Sequence, residues 1–349
     1  MVLFFSVLSV SLWLRFPAAA QIRGAPELAQ ALARLPVTGS LLHTGAHPDD
    51  EHSSMLAYLA RGRHVRAAYL SATRGEGGQN LLGTEQYEAM GLLRTQELLD
   101  ARRLDGAEQF FSRAMDFGYS KTSEETLAKW GGKSDENATL ADFVRVIREF
   151  RPDVIVARFT GTASDGHGQH QAAGILTREA FRAAADPQSF PEQIREGLQP
   201  WQVKKYYLSA NRFGPNADQP LPEGAVVLDL GDYDPILGAS YNQIGGEGRI
   251  LHRSQGFAGF SARPGSSRNG FLLRDSVLPK SGPEKDLFDG ITITLDRFTE
   301  MGAPSADVEE LKAVVREITQ KYHPARPEEV APLLARGVSL VEKIGRAHV

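Results

Sequence analysis

SLLHTGAHPDDE, residues 40–51, is the segment that decides the fold of this chain. Its first part is mostly apolar, which predicts a buried β-strand. The strand runs directly into a cluster of ionisable side chains, His47, Asp49 and Asp50, at the start of a helical pattern. Ionisable residues between a buried strand and a helix are typical of the carboxyl edge of a parallel sheet, where α/β proteins bind their ligands.

Strand-like and helical patterns alternate along most of the chain. We predict strands at residues 40–46, 64–72, 109–112, 153–157, 203–209 and 226–230, and a strand-like segment at 291–295. We predict helices at residues 49–61, 84–104, 137–150, 170–185, 233–255 and 305–322. Parallel strands need crossovers of this length, so the alternation predicts a Rossmann-like three-layer α/β/α domain with a mainly parallel sheet.

The composition excludes several classes of protein. With 42% hydrophobic and 23% charged residues, the 349-residue chain has the make-up of a globular protein. Its formal net charge of -4 offers no basic surface for a phosphate backbone, so we expect no nucleic-acid partner. The chain has no cysteine, so any metal site must use histidine and carboxylate ligands.

The N-terminal segment has the pattern of a secretory signal. An apolar run at residues 2–14, which is too short to span a bilayer, precedes Ala18, Ala19 and Ala20. We therefore expect cleavage after Ala20, export to the periplasm or the medium, and no stable membrane span. The alternative is a buried N-terminal helix.

We divide the chain into a signal peptide at residues 1–20, a main domain at 21–277 and a C-terminal helical extension at 278–349. The sequence stops within a helical pattern and without a capping signal, and residues 344–349 match a translated sequencing adapter. We therefore expect a truncated fragment whose last residues are not native.

A second group of ionisable residues, His167 and His170, follows the strand predicted at residues 153–157. The carboxyl ends of parallel strands share one edge of a sheet, so this group should meet His47 and Asp50 there. Together the two groups offer the three protein ligands and the open position of a catalytic zinc site. Taken alone, each group has an ordinary alternative, because adjacent acids often cap a helix and histidines often lie on the surface.

Several short motifs resemble the PIG-L/LmbE family of zinc-dependent N-acetylglucosaminyl deacetylases. They are AHPDDE at residues 46–51, TRGEGG at 73–78, LRTQEL at 93–98, HGQHQAAG at 167–174 and HRSQG at 252–256. The resemblance spans roughly residues 36–256. It implies hydrolysis of an N-acetyl group on an amino sugar or glycoconjugate, with one zinc ion per chain.

The resemblance also implies a role for individual residues. His47, Asp50 and His170 would bind zinc. Asp49 would be the general base, and His167 would be the general acid and would stabilise the oxyanion.

Outside this group, the resemblance implies that Arg74 in the Gly-rich loop and Asp116 after the third strand bind substrate. The family usually has aspartate where this chain has Gln169, so His167 would lack a charged partner. Other polar residues of the motifs are interpreted as structural; these are Glu51, Glu76, Arg94, Glu97 and His252.

Two other functions are compatible with these residues. A hydrolase of the same fold could act on a non-sugar amide, or Gln169 could mark a secreted carbohydrate-binding protein that has lost catalysis. Intact Asp49 and His167 favour catalysis, because a pure binding protein needs no base beside its metal. The same ligands would also accept Fe(II) or Co(II).

Overall fold

The computed structural model, which describes residues 24–131, 137–210, 220–262, 264–279 and 282–346, is built around one large β-sheet. The strands are β1 (Ser40–Gly45), β2 (Arg66–Ser71), β3 (Glu108–Phe111), β4 (Val154–Ala157), β5 (Lys205–Ser209), β6 (Val226–Asp229), β7 (Tyr233–Asp234), β8 (Ala239–Ser240) and β9 (Arg268–Ser276). The large sheet has the order β3-β2-β1-β4-β5-β9-β6, and β7 and β8 form a separate hairpin. The five neighbouring strands β3, β2, β1, β4 and β5 pair in parallel. Strand β9 is antiparallel to β5 and β6, so the sheet is mainly parallel, as predicted.

Helices cover both faces of this sheet. They are α1 (Ala25–Arg34), α2 (Ser53–Ala57), α3 (Glu88–Asp105), α4 (Ser123–Trp130), α5 (Ala138–Phe150), α6 (Gly168–Ala183), α7 (Pro191–Arg195), α8 (Tyr241–Ile250), α9 (Asp296–Glu300), α10 (Ser305–Lys321) and α11 (Ala331–Arg346). Leu42 of β1 packs with α5 and α6, whereas its neighbour Leu41 packs with α2 and α3. Because successive strand residues point to opposite faces, this alternation separates the two apolar layers. The Rossmann-like three-layer prediction is confirmed.

A third apolar cluster joins the two ends of the described chain. Leu32 of α1 packs with Val308 and Ile318 of α10 and with α11. Arg297 forms an ion pair with the buried Asp153 at the start of β4, so this region is anchored to the sheet. The domain boundary after residue 277 stays a prediction, and the signal peptide at 1–20 lies outside the described residues.

The first helix after β1 starts later than predicted. It begins at Ser53 instead of residue 49, His52 caps it by accepting a hydrogen bond from the Met55 amide (3.3 Å), and it continues as a π-helical turn at Tyr58–Gly62. The alternative reading of the acid pair as a helix cap is therefore wrong. Asp49 and Asp50 lie in the turn that precedes the helix, which leaves their carboxylates available to the sheet edge.

Apolar periodicity predicts that the inward face of α3 contains Leu92, Leu93, Gln96, Leu99 and Leu104, and of these only Leu104 is buried. The helix ends at Asp105, before Gly106, whose φ of +80° suits a glycine that stops a helix, and Leu92 and Leu99 are 74% and 37% exposed. The buried side follows a different stripe, which contains Met90, Arg94, Leu98, Ala101 and Arg102. Leucines occupy both sides of this helix, so apolar periodicity alone does not fix its rotation.

Beyond β6, two predicted segments differ from the structure and one strand, β9, was not predicted. The helix predicted at 233–255 begins with the β7–β8 hairpin, and α8 starts only at Tyr241. The strand-like segment at 291–295 makes a single bridge, between Thr294 and Val37, and the sheet is completed instead by β9. Within the described ranges, no helix is long and apolar enough to cross a membrane.

Candidate active site

A cavity of about 410 Å³ opens at the carboxyl ends of β1 to β4. Because these strands are parallel, the segments that follow them meet at this edge. The lining residues are His47, Asp49, Asp50, Gly77, Gly78, Gln79, Arg94, Asp116, Gly118, Tyr119, His167, Gln169, His170 and Gln255. The structure thus brings together every predicted site residue except Arg74.

Asp50 lies between two of the predicted ligands. Its Oδ2 accepts hydrogen bonds from the backbone amides of Ala46 (3.0 Å) and His47 (2.7 Å), which fix the turn after β1. Oδ2 is 3.3 Å from His47 Nδ1, and Oδ1 is 3.4 Å from His170 Nε2. One carboxylate therefore faces imidazole nitrogens that come from two different strand ends.

The loop after β4 fixes the position of His170. The Asp165 carboxylate accepts hydrogen bonds from the backbone amides of Gly161 (2.7 Å) and Thr162 (3.1 Å), which folds the loop back on itself. The carbonyl oxygen of Asp165 then lies 3.1 Å from His170 Nδ1. The His170 ring also stacks on Phe159 with 3.9 Å between ring centroids. These contacts direct Nε2 toward Asp50.

The chemistry of this group fits a metal ion. Nitrogen atoms of His47, His167 and His170 lie within 4.8 Å of one another, with Asp50 beside them. Burial opposes charge on His47, but the hydrogen bond and charge of Asp50, with the charge of Asp116, raise the pKa of its imidazole to about 9. The carboxylates thus create a field that favours a cation, and imidazole with carboxylate is a ligand set that zinc accepts.

Asp49 differs from Asp50 in its surroundings. Its backbone has the unusual φ of +114°, its amide donates to Glu51 Oε2 (2.9 Å), and its carbonyl accepts from Arg249 Nη1 (2.8 Å). Burial and the neighbouring Asp50 charge raise the pKa of Asp49 to about 6. Its carboxyl group therefore titrates close to neutral pH.

His167 begins α6 as its N-cap residue, and its ring centroid is 3.8 Å from that of His170. Burial, with the charges of His170 and His47, lowers the pKa of His167 to about 4. Its Nδ1 is buried without a hydrogen-bond partner among the described residues. A neutral imidazole still carries one N–H donor, which is sufficient to stabilise a developing oxyanion.

Arg94 takes the place in the cavity that was predicted for Arg74. The Arg74 guanidinium lies over the Phe111 ring (4.1 Å) and donates to Thr95 Oγ1 (3.2 Å). Arg94 lines the cavity, is 3% exposed, and donates from Nη2 to the Gln79 carbonyl (2.8 Å). Its position on the buried stripe of α3, four residues from both Met90 and Leu98, was the sequence signal that could have identified it.

The residues interpreted as structural join the site to distant parts of the chain. Glu51 Oε1 is 2.7 Å from His252 Nε2 and 3.5 Å from Arg102 Nη2. Burial opposes the Glu51 carboxylate, but these two partners hold its pKa well below the ordinary range. Glu97 accepts hydrogen bonds from the Ser254 amide (2.8 Å) and hydroxyl (2.7 Å). The segment that follows α8, which contains His252 and Ser254, is therefore tied to α3 and to the loop that contains Asp49 and Asp50.

The fold and these side chains together define a Rossmann-like α/β protein with a histidine and carboxylate cluster of the kind that binds metal. The chain belongs to the PIG-L family, whose model, described as GlcNAc-PI de-N-acetylase, matches residues 42–181.

Sequence comparison supports this membership. The 1D-myo-inositol 2-acetamido-2-deoxy-alpha-D-glucopyranoside deacetylase of Geodermatophilus obscurus is 32% identical over 218 residues, 56% of this chain and 71% of that protein. The deacetylase 1 with the same substrate name from Frankia alni is 31% identical over 183 residues, 47% of this chain and 60% of that protein. The chain thus spans 60% of the length of the Frankia alni relative. Among solved structures, N,N'-diacetylchitobiose deacetylase from Pyrococcus horikoshii has a TM-score of 0.46 and 14% identity, over 71% of this chain and 88% of that chain.

Proposed function

We propose that this protein is a zinc-dependent hydrolase that removes the N-acetyl group from an acetylated amino sugar or glycoconjugate. The observation that carries the proposal is the position of Asp50, whose two oxygens face His47 and His170 at 3.3 and 3.4 Å. Asp49 and His167 line the same cavity. The two curated relatives are named as deacetylases of a 2-acetamido-2-deoxy-glucopyranoside, which supports an acetylated amino sugar as the substrate class.

Each side chain has a distinct part in this proposal. His47, Asp50 and His170 would hold the ion, and bound zinc supplies Lewis-acid charge that makes water nucleophilic near neutral pH. Asp49 would accept the proton of the attacking water and pass it to the departing amine. The resemblance gives this general-acid step to His167, but burial lowers the pKa of His167 to about 4, so its imidazole is neutral near pH 7. His167 would donate an N–H hydrogen bond to the oxygen that becomes negative during the attack. Asp116, which lines the cavity, would contact sugar hydroxyls.

Acetate release from a panel of N-acetylated sugars, measured with zinc-loaded and chelator-treated protein, tests the proposal. We expect release only by the loaded protein. Release from simple acetamides but from no sugar would favour the non-sugar amidase, and no release from any amide would overturn the assignment in favour of a binding protein.

Variants of the two arginines test which of them contacts the substrate. We expect Arg94→Met to raise the KM for an N-acetylated sugar by about 10- to 100-fold, the loss typical of one hydrogen bond to a charged group. Arg74→Met should leave the KM unchanged, because its guanidinium is engaged by Phe111 and Thr95 outside the cavity. The measurement is the KM of both variants at equal zinc content. A larger effect of Arg74→Met would contradict the structural assignment.

Two further parts of the proposal rest on the sequence. The apolar run at residues 2–14 and the alanines at 18–20 support export of the mature chain. The division after residue 277 separates a catalytic domain from a helical extension. The expected partner is a small N-acetylated sugar or glycoconjugate, and no nucleic acid.

A further inference from the structure

Gln169 is a buried polar residue of the cavity that the proposed reaction leaves without a part. It is the second residue of α6 and only 1% exposed. Its Oε1 forms a hydrogen bond with His47 Nε2. Its Nε2 lies 3.0 Å from Asp116 Oδ1 and 2.8 Å from the Gly118 carbonyl oxygen.

This network fixes the orientation of the Gln169 amide. The backbone carbonyl oxygen of Gly118 can only accept a hydrogen bond, so the group of Gln169 that faces Gly118 and Asp116 must be the amide NH₂. The amide oxygen therefore faces His47. Because this oxygen also only accepts, the proton of the hydrogen bond must belong to His47 Nε2.

The position of that proton decides which nitrogen of His47 can bind a metal. With Nε2 protonated, the lone pair of a neutral imidazole is on Nδ1, which is the atom 3.3 Å from Asp50 Oδ2. The same reasoning applies to His170, whose Nδ1 donates to the Asp165 carbonyl (3.1 Å) and whose Nε2 faces Asp50 Oδ1 at 3.4 Å. Both lone pairs therefore point to the two sides of one carboxylate.

We infer that Gln169 is a positioning residue of the metal centre, which holds His47 in the tautomer with Nδ1 free for the ion. Asp116 and Gly118 in turn hold Gln169, so the loop after β3 contributes to the site through α6. The inference rests on the proposed metal centre and adds a residue to it. Ligating histidines usually donate their second N–H to such an acceptor, and loss of that acceptor typically weakens metal affinity about 10- to 100-fold.

Among the described residues, the other acceptor recorded near His47 Nε2 is too distant to replace Gln169. This acceptor, Asp116 Oδ2, is 3.9 Å from His47 Nε2, which is beyond hydrogen-bond distance. Methionine has a similar length and volume to glutamine but offers only a weak acceptor. The Gln169→Met variant should therefore keep the packing and release the ring of His47.

Gln171 provides a matched control two residues further along α6. It is also buried, at 8% exposure, and its Nε2 donates to the Gly166 carbonyl (3.0 Å), away from His47. We expect Gln169→Met to raise the zinc dissociation constant, measured by competition with a chelator, by about 10- to 100-fold. Gln171→Met should bind zinc like wild type. The visible spectrum of the Co(II)-loaded protein should change only in Gln169→Met, and thermal unfolding of the metal-free proteins controls for general damage.

A measurement on the wild-type protein needs no variant to fold. Long-range ¹H–¹⁵N spectra of the zinc-loaded, ¹⁵N-histidine-labelled protein should show His47 protonated at Nε2 and bound to zinc through Nδ1. Zinc on Nε2 of His47 would overturn the inference, as would equal zinc affinity of Gln169→Met and Gln171→Met. A wild-type protein that binds no zinc would overturn the metal centre itself, whereas loss of zinc in His47→Ala with normal affinity in Gln169→Met would overturn only the role of Gln169.

Discussion

Asp49→Asn should lower turnover about 10²- to 10⁴-fold while zinc content stays at the wild-type level, since this is the range that general-base catalysis typically contributes. The substitution suits the site, because asparagine is nearly isosteric and is among the residues that best tolerate a positive φ, here +114°. The backbone contacts of residue 49 with Glu51 and Arg249 do not involve the side chain and should persist. What the variant loses is a group that can accept the proton of the attacking water.

The measurement is acetate release from an N-acetylated sugar by wild type and variant at equal zinc content. A variant that keeps more than about a tenth of wild-type turnover would show that Asp49 is not the base, because general-base removal typically costs more than this. A variant that loses zinc would instead place Asp49 among the ligands.

His47→Ala and His170→Ala should each lose zinc during purification. Both imidazoles face the Asp50 carboxylate, so removing either one leaves a site with an incomplete set of ligands. The affinity loss should exceed the roughly 100-fold that removal of a supporting hydrogen bond can cause. Elemental analysis of the purified proteins is the measurement, and wild-type zinc content in either variant would contradict the assignment.

His167→Ala distinguishes between two possible ligand sets. Its ring nitrogen lies within 4.8 Å of those of His47 and His170, so the geometry alone would also allow a site with three histidines. If His167 serves as donor to the oxyanion, its alanine variant should retain zinc and lose activity. Loss of zinc would make His167 a ligand. The exposed His323 provides an alanine variant that controls for handling.

The position of the site could be predicted because it depends on local sequence and on one rule of topology. His47 and Asp50 directly follow β1, and His167 and His170 follow β4. Parallel neighbours bring their carboxyl ends to one edge. The proximity of these four side chains could therefore be predicted without knowledge of any specific tertiary contact.

Other features depend on contacts that short segments do not encode. The rotation of α3 is set by buried partners of its arginines, including the pairing of Arg102 with Glu51, and it places Arg94 instead of Arg74 in the cavity. Strand β9 pairs with β5 and β6, which are far from it in sequence, so its own weak pattern gave no signal. Helix α2 is shorter than predicted because hydrogen bonds of Asp49 and Asp50 hold residues 46–51 in a turn. Local helix propensity contains no information about these bonds.

The contact between Glu51 and His252 makes the loop that contains Asp49 and Asp50 depend on a segment that is synthesised much later. Once residues 42–181 have been synthesised, the nascent chain contains every candidate ligand, base and acid. The partners that hold the loop, His252 for Glu51 and Arg249 for the Asp49 carbonyl, are encoded about 200 residues later, at separations of 201 and 200. The nascent protein can therefore contain all the candidate site residues before the partners that hold this loop, which lie in and after α8, have been synthesised.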